Sequence, residues 1–132
     1  MEKYHLEKVG SLFLTKAAIK GREGTKVMRL LVDTGSTYTV LPVEVLESVG
    51  CSPAESRELV KIITGSGTII APKVEVIWFQ SLGQKADRFK AVAHTLPFSG
   101  PIDGLLGMDF LLAVKAYINL GSGIIRVLGW PH

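Results

Sequence analysis

The feature that most constrains this chain is its punctuation. Glycine and small polar clusters recur at short intervals, at Gly21–Gly24, Gly35, Gly50, Gly65–Gly67, Gly83, Ser99–Pro101 and Gly121–Gly123. The runs between them are brief and rich in Val, Ile, Leu and Phe, which predicts a mostly β chain built from hairpins. Ser11–Ile19 with Thr25–Val32 reads as a first hairpin. Leu59–Ile63 with Thr68–Phe79 reads as a second, turning at Gly65-Ser66-Gly67. Arg88–Leu96 reads as a further strand, and Ala116–Leu120 with Gly123–Leu128 as a last hairpin.

Two segments depart from the strand pattern. Pro42–Val49 places Pro at the start of a run of helix formers, with Gly50 just past its end, which predicts a short helix. Met108–Val114 is apolar on most sides and predicts a second, largely buried one.

With 132 residues and 47% apolar content, the chain suits a single domain, 1–132, with one core. A site needing two large lobes would have to draw them from two chains. No run approaches the roughly 18 apolar residues of a membrane span, and the start, Met1–Lys8, mixes charges of both signs. The expectation is a soluble, cytoplasmic protein that does not engage membranes. The lone Cys51 excludes an internal disulfide and reads as a small apolar or loop residue. His5, His94 and His132 are scattered, with no spacing that converges on a metal. The net charge is +3, with Lys16, Lys20, Arg22, Lys26 and Arg29 gathered near the N-terminus. No aromatic residues interleave with these cations, so they read as solvated hairpin faces, not as a nucleic-acid surface.

The chemistry centres on Leu30-Leu31-Val32-Asp33-Thr34-Gly35-Ser36, where an apolar strand delivers a carboxylate into a turn. An Asp at the edge of a core is placed where burial or a like charge could perturb it. Gly35 allows the backbone to turn closely behind Asp33, and the Thr34 and Ser36 hydroxyls can donate locally. Ser36 in particular is expected to donate to the outer oxygen of Asp33. Taken alone, Asp-Thr-Gly-Ser is also an ordinary turn. A second segment, Ile102-Asp103-Gly104-Leu105-Leu106-Gly107-Met108-Asp109-Phe110, sets an apolar pair and a Gly before the second helix, suited to pack beneath another loop. Between the two lies Gly65-Ser66-Gly67, suited to the tip of a mobile lid.

Together these segments resemble the retropepsin-like aspartic proteases, the single-lobe relatives of pepsin, over roughly Leu12–Leu128. The resemblance implies a closed, mostly β barrel with one or two short helices and a flap hairpin, working as a homodimer. It implies that Asp33 is catalytic, that Thr34, Gly35 and Ser36 support the active-site loop, and that Leu105, Leu106 and Gly107 brace it from below. Gly65, Ser66 and Gly67 would form the flap tip. The implied activity is hydrolysis of peptide bonds in protein or peptide substrates by a water held between two Asp33 carboxylates, with no metal or organic cofactor. Thr34 would bond the partner's loop at the two-fold axis, and the terminal strands would pair between chains. Retroviral members carry Arg where this chain has Met108. Asp109 is expected to cap the second helix or bond locally, and Asp103 to serve its own turn.

Two other readings stand beside this one. Asp33-Thr34-Gly35-Ser36-Thr37-Tyr38-Thr39 also fits the phosphate loop of actin-like kinases, but the length leaves no room for their two large domains. The same fold could instead serve as a dimerisation or peptide-binding module with weak or no proteolysis.

Overall fold

A computed structural model describes residues 1–64, 67–97 and 100–131. Two short strands come first, β1 (Glu2–His5) and β2 (Glu7–Val9), in a charged stretch with no strand signal of its own. They exist because partners are available. β1 lies antiparallel to the last strand of the chain, Glu2 opposite Val127 and His5 opposite Ile124, and β2 pairs with Leu12–Leu14.

The first expected hairpin is present as β3 (Leu12–Gly21) and β4 (Gly24–Val32), joined by Arg22 and Glu23. Leu14, Ala17 and Ile19 of β3 are buried, and exposed Lys16 and Lys20 alternate with them, so the clustered N-terminal cations do lie on a solvated hairpin face. The chain then forms β5 (Val40–Leu41) and α1 (Val43–Ser48). Pro42 sits at the N-cap with extended backbone, one position earlier than its sequence reading, and Gly50 follows the helix with φ 82°.

The second hairpin is β6 (Leu59–Thr64) with β7 (Gly67–Glu75). Its second arm was expected to run on to Phe79 but stops at Glu75. The cause is a change of partner. Glu75 still pairs with Lys90, whereas Val76 donates its amide to Phe89 and Ile77 to Lys20, and from Trp78 the chain runs along β3 as β8 (Trp78–Ser81). An unbroken apolar run carries no mark of such a corner. Leu82 (φ 52°) and Gly83 (φ 68°) then make a two-residue turn into β9 (Gln84–Asp87), and positive φ at both positions is what a tight right-twisted hairpin requires. The strand expected over Arg88–Leu96 is β10 (Lys90–Ala93), shortened at its start by Arg88 at φ 55°.

The remainder is β11 (Gly104–Leu106), α2 (Met108–Ala113), β12 (Tyr117–Asn119) and β13 (Ile124–Val127). β1, β13 and β12 form a small sheet in that order. The others make a large curled, half-barrel sheet in the order β6-β7-β10-β5-β11-β4-β3-β8-β9, with β2 on β3. Within it β11 is inserted between β4, to which it runs parallel, and β5. That insertion places the second motif directly alongside the strand that delivers Asp33.

The main core lies inside the curl. Phe79 stacks on Phe89 at 4.9 Å between ring centroids and meets Phe110 of α2 edge-on at 5.1 Å. Trp130, beyond β13, stacks on Phe110 at 5.5 Å and donates its backbone amide to the Gln84 side chain, so the tail folds onto its own core. A second, smaller cluster of Val40, Ala71 and Val92, with Tyr38, Ile62, Leu96 and Leu105 against it, fills the space between the β6–β7 ribbon and the Asp33 loop. Among the described residues no helix is long and apolar enough to cross a membrane.

Candidate active site

Asp33 follows the last residue of β4 and is half-buried. Its backbone amide donates to the Leu106 carbonyl at 3.0 Å, which fixes the incoming arm of the loop on β11. The chain reverses through a turn in which the Ser36 amide donates to the Asp33 carbonyl at 3.2 Å. Inside that turn the Gly35 amide donates to Asp33 Oδ1 at 2.9 Å, a charge-assisted bond that orients the carboxylate. A Cβ on Gly35 would stand 3.2 Å from that oxygen, so glycine leaves the amide free to approach. Thr34 and Gly35 are exposed at the loop tip.

Ser36 does not take the expected role. Its hydroxyl donates to the Tyr38 carbonyl at 2.6 Å and is thereby committed to bracing the loop, not to the Asp33 carboxylate. The Leu105-Leu106-Gly107 segment runs beside the strand that delivers Asp33. Leu105 pairs with Leu31 and Val40, Leu106 with Val32, and Gly107 leads into α2. The amides of Met108 and Asp109 donate to the Ser36 and Thr37 carbonyls at 2.8 and 3.1 Å, so the start of α2 holds the far side of the turn.

Asp33, Gly35, Tyr38, Ile62, Leu96 and Leu105 line a cleft of about 420 Å³ between the loop and the β6–β7 ribbon. Leu31, Ile62, Ile63, Leu96 and Leu105 give it apolar walls, with the carboxylate at one side and Lys61, Ser36 and Thr37 also on its lining. Lys73 of β7 lies 5.0 Å from the centre of the Tyr38 ring and ties the base of the ribbon to the loop wall. Of the expected lid tip, Gly67 opens β7 with φ 118°, and Gly65 and Ser66 lie outside the described residues.

A family model described as aspartyl protease matches residues 15–110, more than half of the chain. The chain belongs to the aspartyl protease family. The crystal structure of a retropepsin-like aspartic protease from Rickettsia conorii is similar to it in fold, with a TM-score of 0.70 and 17% sequence identity over 94% of this chain and 88% of that one. No match is found among curated proteins.

In this aspartyl protease family member the matched span takes in two residues whose part was not foreseen. Asp109 was expected to cap α2 or to bond locally; the N-cap position is Gly107, without a side-chain cap bond, so the local bond is the part of that expectation found. The Asp109 carboxylate does accept the neighbouring Phe110 amide at 2.8 Å, but it also accepts the Thr39 amide at 2.9 Å and the Thr39 hydroxyl at 2.7 Å, across seventy positions of sequence. Asp103 likewise reaches beyond its own turn. Its carboxylate accepts the Arg29 amide at 2.8 Å, and its amide donates to the Arg29 carbonyl at 2.8 Å, extending the β4–β11 pairing by one step. In both cases the only sequence signal was a short acidic side chain beside a motif. Cys51 conforms to the expectation of a packing residue, since burial pushes its thiol up from the ordinary value, away from thiolate chemistry.

Proposed function

We propose that this chain is an aspartic endopeptidase whose working unit is a homodimer, with Asp33 of each copy facing the other across a shared cleft. The observation that carries the reading is the Asp33 turn itself. Its carboxylate is aimed by the Gly35 amide at the end of an apolar strand and lines a mainly apolar cleft under a β-ribbon. Each chain supplies one such carboxylate, and the chemistry needs two. Thr34 is exposed at the loop tip, which leaves it accessible to the partner's loop that this reading assigns to it.

Two carboxylates in contact cannot both ionise readily, so the pair holds one proton and titrates as a unit. The ionised Asp33 takes a proton from the water as its oxygen attacks the scissile carbonyl carbon, and the protonated Asp33 gives its proton to the carbonyl oxygen. The resulting gem-diol collapses as a proton passes to the leaving nitrogen and the C–N bond breaks. The loop's backbone ties to β11 and α2 are the kind of rigid support that keeps a carboxylate within attack geometry.

The test is cleavage of a broad peptide library at several pH values by the wild-type chain and by Asp33→Asn. Cleavage by the wild type that is abolished in a folded Asp33→Asn protein, with specific activity falling on dilution, is the expected result. Peptide binding without cleavage at any pH would overturn the enzymatic reading in favour of a peptide-binding module, and full activity of a strict monomer would overturn the dimer.

A further inference from the structure

Thr39 is one of two buried polar residues among those described, itself at 0% exposure, and lies on the outgoing arm of the Asp33 loop. A buried hydroxyl needs partners, and here the partners fix its direction. The Gly107 amide donates to Thr39 Oγ1 at 3.2 Å, so the hydroxyl hydrogen is free to point only elsewhere, and it points to Asp109 Oδ1 at 2.7 Å. The Thr39 amide donates to Asp109 Oδ2 at 2.9 Å, and the Phe110 amide to Oδ1 at 2.8 Å.

Three donors therefore converge on one side chain, and two of them are backbone amides that cannot reverse. Only a group that accepts at both ends satisfies them, which an ionised carboxylate does and a carboxamide does not. An Asn at 109 could keep its oxygen on Phe110 and the Thr39 hydroxyl, but its NH2 would then face the Thr39 N–H, donor against donor.

The placement gives these bonds a consequence beyond the helix. The incoming arm of the loop is held by the Asp33 amide on Leu106, and the turn by the amides of Met108 and Asp109 on Ser36 and Thr37. Where the chain leaves the turn, the Thr39 carbonyl accepts the Val92 amide at 2.9 Å on the β10 side, and the side chain of Asp109 supplies the anchor on the α2 side. Tyr38, next to Thr39, lines the cleft and accepts the Ser36 hydroxyl, so movement at Thr39 passes directly to the cleft wall and to the turn carrying the carboxylate.

We propose that Asp109 is a positioning residue for the reaction, holding the outgoing arm of the Asp33 loop in register through Thr39. The inference rests on the proteolytic reading above, and its test separates the two. Asp109→Asn and Thr39→Val are compared with wild type by steady-state kinetics, thermal unfolding, and hydrogen exchange of the Gly35 and Ser36 amides, all on the full chain. Loosening a tightly placed group by a fraction of an ångström to about 1 Å predicts a fall in kcat of about 10- to 100-fold with KM changed far less. The double variant is expected to be no slower than the slower single one, because both changes break the same link. Thr39→Ser, which keeps the hydroxyl, should recover most of kcat. Exchange at Gly35 and Ser36 should quicken in Asp109→Asn below the unfolding transition, while exchange in β3 does not. A folded Asp109→Asn protein with kcat within about twofold of wild type, or one in which the two substitutions act additively, overturns the proposal. Should the wild type cleave nothing, it is the proteolytic reading that fails, and unchanged exchange at Gly35 and Ser36 would then still refute the tether.

Discussion

Gly107 lies directly against the peptide group of Tyr38. A Cβ added at Gly107 would overlap the Tyr38 carbonyl and stand 2.9 Å from the Thr39 nitrogen, all of it backbone that cannot swing aside. The Gly107 backbone is extended (φ −99°, ψ −176°), so it is space and not conformation that excludes a side chain. Gly104, three positions earlier, would overlap the Val40 carbonyl in the same way.

Gly107→Ala is therefore expected to destabilise the protein by about 1–3 kcal/mol or more, as overpacking against rigid neighbours does, and Gly104→Ala by a similar amount. Gly121→Ala serves as the control. Its nearest neighbour would be the Asn119 side chain at 3.4 Å and its φ is unexceptional, so a change within about 0.5 kcal/mol is expected. Denaturant unfolding of the three variants decides. A Gly107→Ala midpoint equal to that of Gly121→Ala would mean that β11 can back away from the loop.

For Ser36→Ala the geometry reverses the expectation drawn from sequence. Because the hydroxyl donates to the Tyr38 carbonyl and not to Asp33, its loss should leave both limbs of the kcat/KM pH profile in place. The cost should fall on the loop instead, at about 1 kcal/mol for one hydrogen bond. A displaced acid or alkaline limb with unchanged stability would show that Ser36 reaches the carboxylate in solution.

Much of this was legible in the sequence, for local reasons. The β3–β4 hairpin, α1 and the β12–β13 hairpin all carry their own stop signals, the Asp33 turn holds the glycine it needs, and β11 opens at Gly104 and ends before Gly107. The illegible parts depend on distant partners. β1 is a strand because β13 lies beside it, and the corner at Val76–Ile77 exists because β3 takes over from β10. The Asp109–Thr39 link belongs to the same class, since neither side chain advertises a partner seventy positions away.

Trp130 offers a test of whether the tail serves its own chain. Its ring stacks on Phe110 at 5.5 Å and meets Phe89 edge-on at 5.8 Å, and the Leu128 amide just before it is held by the Val114 carbonyl. Trp130→Ala should cost about 2–3 kcal/mol, below the full range for core aromatics because the ring is only half-buried. Dissociation of the proposed homodimer, measured by sedimentation well below the unfolding transition, should be unaltered. A weakened dimer with unchanged monomer stability would place the tail across the partner.

The base of the ribbon carries a pH dependence whose sign can be worked out. Glu58 receives Lys90 Nζ at 3.0 Å on one oxygen and Lys73 Nζ at 3.8 Å on the other, joining the segment before β6 to both β7 and β10. The hydrogen bond from Lys90, followed by the charges of Lys90 and Lys73, holds the Glu58 carboxyl below its ordinary value. A depressed folded-state value means that the contribution is fully present above the unfolded value, about 4.3, and is lost as pH falls through the folded one. Glu58→Gln should therefore unfold earlier than wild type at neutral pH, and the two should converge in acid. Since Glu58 and Lys90 are substantially exposed, the neutral-pH gap should also shrink in high salt. Lys73 also stands over Tyr38 in the cleft wall, so the Glu58 pair connects the segment before β6 to the Asp33 loop through one side chain. Denaturation midpoints of both proteins at neutral and acid pH, each at low and high salt, decide the matter. A gap that persists undiminished in acid would assign the effect of Glu58 to packing and not to its charge.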